Sequence, residues 1–397
     1  MINITDKTLC CGCTACMNIC PKHCIEMLPD EEGFLYPKVR ESECIGCNAC
    51  DKVCPVLNHR TIEGKSPDSY ALRSKDKDNL MKSTSGGFTL PLAEYVFSKG
   101  GKIWGAVFDK KFRVHHVCFG ADGEDFRRTR GSKYVQSDLG NCFSEIKKDL
   151  KGGKIVCFIG TTCQVYGLHH FLGKEYDNLI TVDLVCHGTP SPKLWQKYLD
   201  HQKNKYKSEI RRINFRNKTY GYHCGTMLIE FENGKKYTGS ARVDYMLKSF
   251  FREISSRPSC YECHFKDLNR VSDFTIFDCW HITDLVPGVK DDDKGYTNLF
   301  VHSEKGRKVL DEISGRYDIY PTDTEKAIDL DGIMVRGRAK KHPRRDEFFS
   351  DIDDHDLTAH IQKYLPISKM DHIVEAGKTI INKMGIMVFF WKLKNRK

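Results

Sequence analysis

Eight cysteines in two short blocks constrain this chain more than any other feature. The blocks read CCGCTACMNICP (10–21) and CIGCNACDKVCP (44–55), and their prolines lie 34 residues apart. Each carries C-x2-C-x2-C-x3-C-P, so the sequence repeats itself at a spacing suited to a pair of [4Fe–4S] cubanes. Three thiolates at three-residue intervals curl round one face of a cube. The small residues Gly12, Ala15, Gly46 and Ala49 let the backbone come close. The fourth cysteine of each block points away and ligates the other cluster.

One cluster is therefore expected on Cys10, Cys13, Cys16 and Cys54, and the other on Cys44, Cys47, Cys50 and Cys20. Zinc knuckles are the competing reading, but they show two separated C-x2-C pairs rather than three cysteines in series twice over. Cys11 and Cys24 fall outside the pattern and are expected to be bystanders. Residues 1–58 read as a bacterial-type dicluster ferredoxin, with a short hairpin expected in CIEMLPDEEGFLYPKV. The unit moves electrons.

The chain has 397 residues, enough for two or three domains. Its start lacks a basic segment followed by an apolar run, and no stretch reaches transmembrane length. Nineteen cysteines without such a leader point to a reducing cytoplasm, where thiols serve metals rather than disulfides. The 63 basic and 53 acidic residues give a net charge of +10. An acidic partner would suit that charge, but the charges are interspersed and read first as a mixed solvated surface.

After a polar linker at 59–68 the composition changes to α/β. Strands are expected at Tyr70–Arg73, KIWGAVFD, RVHHVCF, KIVCFIG (154–160) and LITVDLVC (179–186), the last two apolar enough to be buried on both faces. Helices are expected in FTLPLAEYVFSKGG, TTCQVYGLHHFLG and SPKLWQKYLDHQKNKY, the third capped by Ser191. INFRNK, TMLIEFENGKKYTG and SDFTIFDCW add strands and a hairpin. The expected architecture is a ferredoxin unit (α+β), a larger α/β domain with a mixed sheet at 67–335, and a basic helical extension at 336–397. Its end, HIVEAGKTIINKMGIMVFFWKLKNRK, reads as an amphipathic helix that either packs on the protein or touches a membrane surface.

Four further cysteines form a second pattern. Cys163 and Cys186 each follow an apolar strand, and ligand sites in α/β sheets cluster beyond strand carboxyl ends. Cys260 and Cys263 form C-x2-C in RPSCYECHFK. Such a set suits a third [4Fe–4S] cluster or a structural zinc, and spacing alone does not choose. The ferredoxin in the same chain favours a cluster, which would extend a wire. Cys157, inside a strand, reads as core.

STSGG (83–87), GSKY (131–134), IGTTCQVYGL (159–168), DLVCHGTPS (183–191), INFRNKTYGY (213–222), RPSCYECHFK (257–266) and SDFTIFDCWHI (272–282) together resemble the coenzyme F420 hydrogenase/dehydrogenase beta-subunit family. The resemblance covers about residues 67–320, with the ferredoxin fused in front as in several members. The family also holds reductases of chlorophyll-type pigments and proteins encoded among polysaccharide genes. The resemblance implies an FAD on the α/β domain beside a [4Fe–4S] cluster held by Cys163, Cys186, Cys260 and Cys263. It implies FAD contacts at Ser85, Gly86 and Gly87, where backbone N–H groups at a helix start would meet the pyrophosphate. Lys133 and Arg216 would supply positive charge, with Lys133 and His187 as candidate catalytic groups. Thr162 stands where the family has proline, FDCW (277–280) where it has G-D-F-W, and His281 where it has glycine.

The sequence thus reads as an iron–sulfur flavoprotein oxidoreductase. Its expected partners are a redox protein, such as a ferredoxin or another oxidoreductase subunit, and a small organic substrate. The departures at Phe277–His281 and the absence of a fused hydrogenase region lean toward a polysaccharide precursor as substrate. Coenzyme F420, whose tail is negatively charged, is the alternative. A module binding nucleic acid through its basic surface is the non-enzymatic alternative, and nucleic acid is not the expected partner.

Overall fold

A computed structural model describes residues 1–121 and 125–384 of the chain. The acidic glycine turn brings β1 (Ile25–Pro29) and β2 (Leu35–Val39) together as an antiparallel hairpin. Short helices lie within the cysteine blocks at Ala15–Ile19 and Ala49–Lys52, each entered through a left-handed residue, Thr14 or Asn48.

The α/β part is built on an eight-stranded mixed sheet. Its first five strands are β3 (Asp68–Ser74), β4 (Lys102–Phe108), β5 (Val114–Phe119), β6 (Val156–Thr161) and β7 (Leu179–Leu184). The chain then leaves to form β8 (Ile210–Asn217), β9 (Thr226–Phe231) and β10 (Lys236–Ser240). It returns for β11 (Phe274–Cys279), β12 (Tyr296–Val301) and β13 (Tyr317–Thr322). The order is β13-β3-β12-β11-β7-β6-β4-β5, with β8–β10 forming a separate antiparallel sheet. The central strands β4, β6, β7 and β11 are parallel, and antiparallel pairs flank them. Their carboxyl ends therefore share one edge, where β6 leads to Cys163 and β7 to Cys186. Cys157 and Phe158 of β6 and Val182 of β7 are fully buried, as strands covered on both faces require. The helix Thr162–Leu172 leaves β6 directly through a capping box of Thr161 and Gln164. Ser191 caps Pro192–Tyr206 by accepting from Leu194 N.

Two features go beyond the sequence reading. The strands β8–β10 do not extend the main sheet, because their apolar side chains Ile213, Phe215, Ile229 and Phe231 pack on Leu194 and Trp195 of the helix Pro192–Tyr206. The segment read as a basic extension from 336 contributes to the core of the α/β part. Phe348, Phe349, Leu357, Ile361 and Tyr364 complete that same core. Residues 385–397 of the anticipated terminal helix lie outside the described residues.

The ferredoxin unit shares a core with the α/β part rather than hanging from it. Cys13, Ala15 and Val53 pack with Phe143, Phe158 and Leu168. A side chain at Gly167 would place its Cβ 2.7 Å from Cys13 Cβ, so only glycine lets this helix approach the cysteine block so closely. A buried latch secures the hairpin. The Arg345 guanidinium donates to both Glu32 carboxylate oxygens, at 2.9 and 2.5 Å, and to Ser256 O at 2.9 Å. Removing one partner of a buried pair leaves the other charge without compensation. Arg345→Ala is therefore expected to cost about 3–5 kcal/mol of stability, read as a lower denaturant midpoint. A loss below about 1 kcal/mol would show the pair to be worth no more than a surface bridge.

Candidate redox centre

Three sets of four cysteines each ring a hollow. Cys10, Cys13, Cys16 and Cys54 line one of about 340 Å³. Cys20, Cys44, Cys47 and Cys50 line another of about 350 Å³. In each, the fourth thiol comes from the other sequence block. Cys163, Cys186, Cys260 and Cys263 line a third hollow of about 600 Å³ at the carboxyl edge of the parallel strands. Among the described residues, no three His, Cys, Asp or Glu side chains converge in a way that would hold a single metal ion. A cubane spreads four thiolates over four irons, and a ring of thiols around a hollow fits that demand better than it fits mononuclear zinc. Burial pushes the Cys260 thiol up to about 12 and Cys263 up to about 11. Cationic iron would take the place of those protons.

The hollows at Cys10 and Cys163 are neighbours. Cys11 lines both, and the neighbouring Cys13 thiol together with burial raises its own thiol pKa, against the lowering effect of Cys163. Cys24 likewise lies 3.4 Å, sulfur to sulfur, from Cys20 in the outer hollow. Arg257, which is 1% exposed, spans the gap. Its Nε donates to Cys10 O at 2.7 Å, its Nη1 to Gln136 Oε1 at 2.9 Å, and its Nη2 to Leu35 O at 2.9 Å. Nη2 also lies 3.5 Å from Cys10 Sγ, and the guanidinium stacks 4.0 Å from the Tyr36 ring centroid. A Cβ on Gly12 would run into Gln136 and this guanidinium. Lys266, donating to Cys186 O and Met334 O, brings a second cation to the third hollow. Two cations facing thiolate sets are what a buried, negatively charged group requires. Sequence reasoning missed both, although each lies in the stretch RPSCYECHFK that supplies Cys260 and Cys263.

The residues expected at the FAD are brought together on the same sheet edge, but with their groups partly committed. Ser132 N donates to Thr84 Oγ1 at 2.9 Å, joining the STSGG and GSKY loops. Arg216 Nη1 contacts Tyr134 OH and Asp278 Oδ2, both at 3.1 Å. Tyr222 OH donates to Asp278 Oδ1 at 3.2 Å. Lys218 closes the ring by donating to Ser85 O at 3.0 Å and Leu80 O at 2.7 Å, and burial brings it down to about 8. Three segments distant in sequence thus form a closed ring, anchored on Asp278 of β11.

Within that ring the individual groups differ from expectation. Gly86 N–H is used up on Thr297 Oγ1 at 2.8 Å, and Ser85 Oγ shares the same hydroxyl at 2.8 Å. Gly87 O accepts from Asn79 Nδ2, holding the turn before the helix Thr89–Ser98. Arg216 is not a lone positive charge, since Asp278 neutralises it. Lys133 donates to Thr129 O and Gly131 O of its own loop, each at 3.1 Å, and burial brings it down to about 7. His187 lies at the third hollow, 3.2 Å from Glu253 Oε1, and burial lowers its pKa, favouring the neutral ring. Phe250 packs between the two regions, 5.2 Å from His187 and 4.4 Å from Tyr134 by ring centroids. One aromatic layer separates the third hollow from the ring of loops.

Residues 9–58 match the family model of the 4Fe-4S dicluster domain. Residues 153–326 match the model for the C terminus of the coenzyme F420 hydrogenase/dehydrogenase beta subunit. Among solved structures, a chain of the F420-reducing [NiFe] hydrogenase complex from Methanosarcina barkeri is 20% identical, with 68% of this chain and 92% of that chain covered and a TM-score of 0.42. No curated protein matches.

Proposed function

We propose, from the match of residues 153–326 to the model for the C terminus of the coenzyme F420 hydrogenase/dehydrogenase beta subunit and of residues 9–58 to the 4Fe-4S dicluster domain, that this chain passes electrons between three [4Fe–4S] clusters and an FAD, with reduced or oxidised coenzyme F420 as the two-electron partner. The observation that carries the reading is the succession of hollows. The outer one, at Cys20 and Cys44, includes the exposed Cys47. The next, at Cys10, adjoins the third at Cys163, and the third lies one aromatic layer from the ring of loops. FAD, when bound, exchanges single electrons for electron pairs. The chain's own part is to place it: Lys218 and Arg216–Asp278 fix the ring, while Phe250 and Tyr134 keep water out of the step between ring and cysteines.

A sugar-precursor substrate receives less support. It rested on the absence of a fused hydrogenase region and on departures at Phe277–His281, yet Phe277 and Cys279 are buried core residues packed with Phe300 and Ile282. Asp278, Trp280 and His281 of that stretch are partly accessible, and Asp278 is already held by Arg216. Mixing the reconstituted protein anaerobically with reduced coenzyme F420 is expected to bleach the flavin absorbance within the mixing experiment. Bleaching by reduced ferredoxin alone would point back to a different organic acceptor. A reconstituted protein without flavin would sink the FAD assignment.

A further inference from the structure

The helix Lys369–Lys383 is packed inside out. A capping box of Ser368 and Asp371 starts it. The face it turns to the protein is polar: Glu375 accepts from Ser240 N at 2.7 Å and Ser240 Oγ at 2.6 Å. Asp371 accepts from Arg242 at 3.0 Å, and Thr379 shares a hydrogen bond with Tyr220 at 2.7 Å. The opposite face is apolar and faces solvent. Met370, Ile373, Val374, Ile380 and Met384 fall at helical spacing on one stripe, from 37% exposed at Val374 to 65% at Met384. They make up five of the fourteen large apolar side chains that stand exposed among the described residues. Own-core packing does not explain a stripe that the helix turns away from its own core.

We propose that this stripe seats the protein on an anionic membrane surface, lying in the headgroup layer without crossing it. No described helix is long and apolar enough to span a bilayer. Charge selects the occupant. From Ala376 to Lys397 the sequence holds Lys378, Lys383, Lys392, Lys394, Arg396 and Lys397 and no acidic residue. The apolar character also continues in sequence through Ile386–Phe390 to Trp391, directly before the last basic cluster. An apolar stripe, a tryptophan and flanking bases are the composition that binds interfaces rich in anionic lipid. A second copy of the chain would set two strongly basic segments against each other, which argues against self-pairing.

The test uses the full reconstituted chain and flotation with vesicles. The protein is expected to rise with phosphatidylcholine vesicles containing about one-third phosphatidylglycerol and to stay below with pure phosphatidylcholine. Raising the salt should weaken the binding. Ile373→Asp combined with Ile380→Asp should lower binding roughly tenfold or more, with iron content and thermal midpoint unchanged because both side chains are exposed. The proposal is overturned if the wild-type chain ignores anionic vesicles, or if the double variant binds them equally. It is also overturned if light scattering shows a dimer that the double variant dissolves, which would make a second copy the occupant.

Discussion

Cys163→Ser is expected to lower the iron of the reconstituted protein from about twelve atoms per chain to about eight, leaving the ferredoxin pair intact. Cys163 sits at the first turn of the helix Thr162–Leu172, which β6 aims at the sheet edge. Cys186 follows β7, while Cys260 ends its loop in the short helix Pro258–Tyr261. Serine keeps the size but is a poor iron ligand at neutral pH, so a cubane built on three remaining thiolates should be lost or degraded. Under the proposed function, electron delivery from the ferredoxin side to the proposed FAD should then fall by orders of magnitude, with FAD content unchanged. Cys11 supplies the control. It lies beside Cys163 and lines the same hollow, yet Cys11→Ser should leave iron near twelve. Unchanged iron and unchanged spectra in Cys163→Ser would remove the third cluster. Loss of iron in Cys11→Ser would instead move a ligand role to Cys11.

What was legible in the sequence was local or periodic. The two cysteine blocks announce a 4Fe-4S dicluster domain by their spacing, and the buried runs at β6 and β7 announce a covered parallel sheet. Cys163 and Cys186 could be placed because each directly follows such a run. Pairings across the fold were not legible. Arg257 meets Cys10 across 247 positions, and Lys218 meets Ser85 across 133. No periodicity reports either contact. Charges were visible as residue types but not as states: Arg216 is neutralised by Asp278, and Lys133 is drawn down by burial among its own loop carbonyls. The terminal helix shows the same limit differently. Its amphipathic character was legible, though its register is broken by Gly377 and Gly385, and period alone does not say which face turns inward.

Arg257→Gln is expected to lower the midpoint potential of the cluster at Cys10. A guanidinium buried beside Cys10 Sγ favours the reduced cluster, which carries one more negative charge, so removing it favours the oxidised form. Discounted for an effective dielectric well above that of dry protein, the change should be roughly 1.4–2.8 kcal/mol. For a one-electron couple that corresponds to about 60–120 mV downward. The second effect is structural: Cys10 O and Leu35 O lose their donor, costing about 1–3 kcal/mol for each group left unsatisfied. Arg257→Lys separates the two. It keeps the charge, and so most of the potential, but a single ammonium does not reproduce the fork that reaches Cys10, Leu35 and Gln136 together. Potentiometric titration followed by electron paramagnetic resonance, in the Cys163→Ser background where only the ferredoxin pair contributes, reads the potential directly. If Arg257→Gln retains its iron and titrates where the wild type does, Arg257 is a structural clamp alone. A drop in Arg257→Gln that Arg257→Lys restores makes it the residue that sets the inner ferredoxin cluster as the better electron acceptor, and so gives the wire its direction toward the α/β domain.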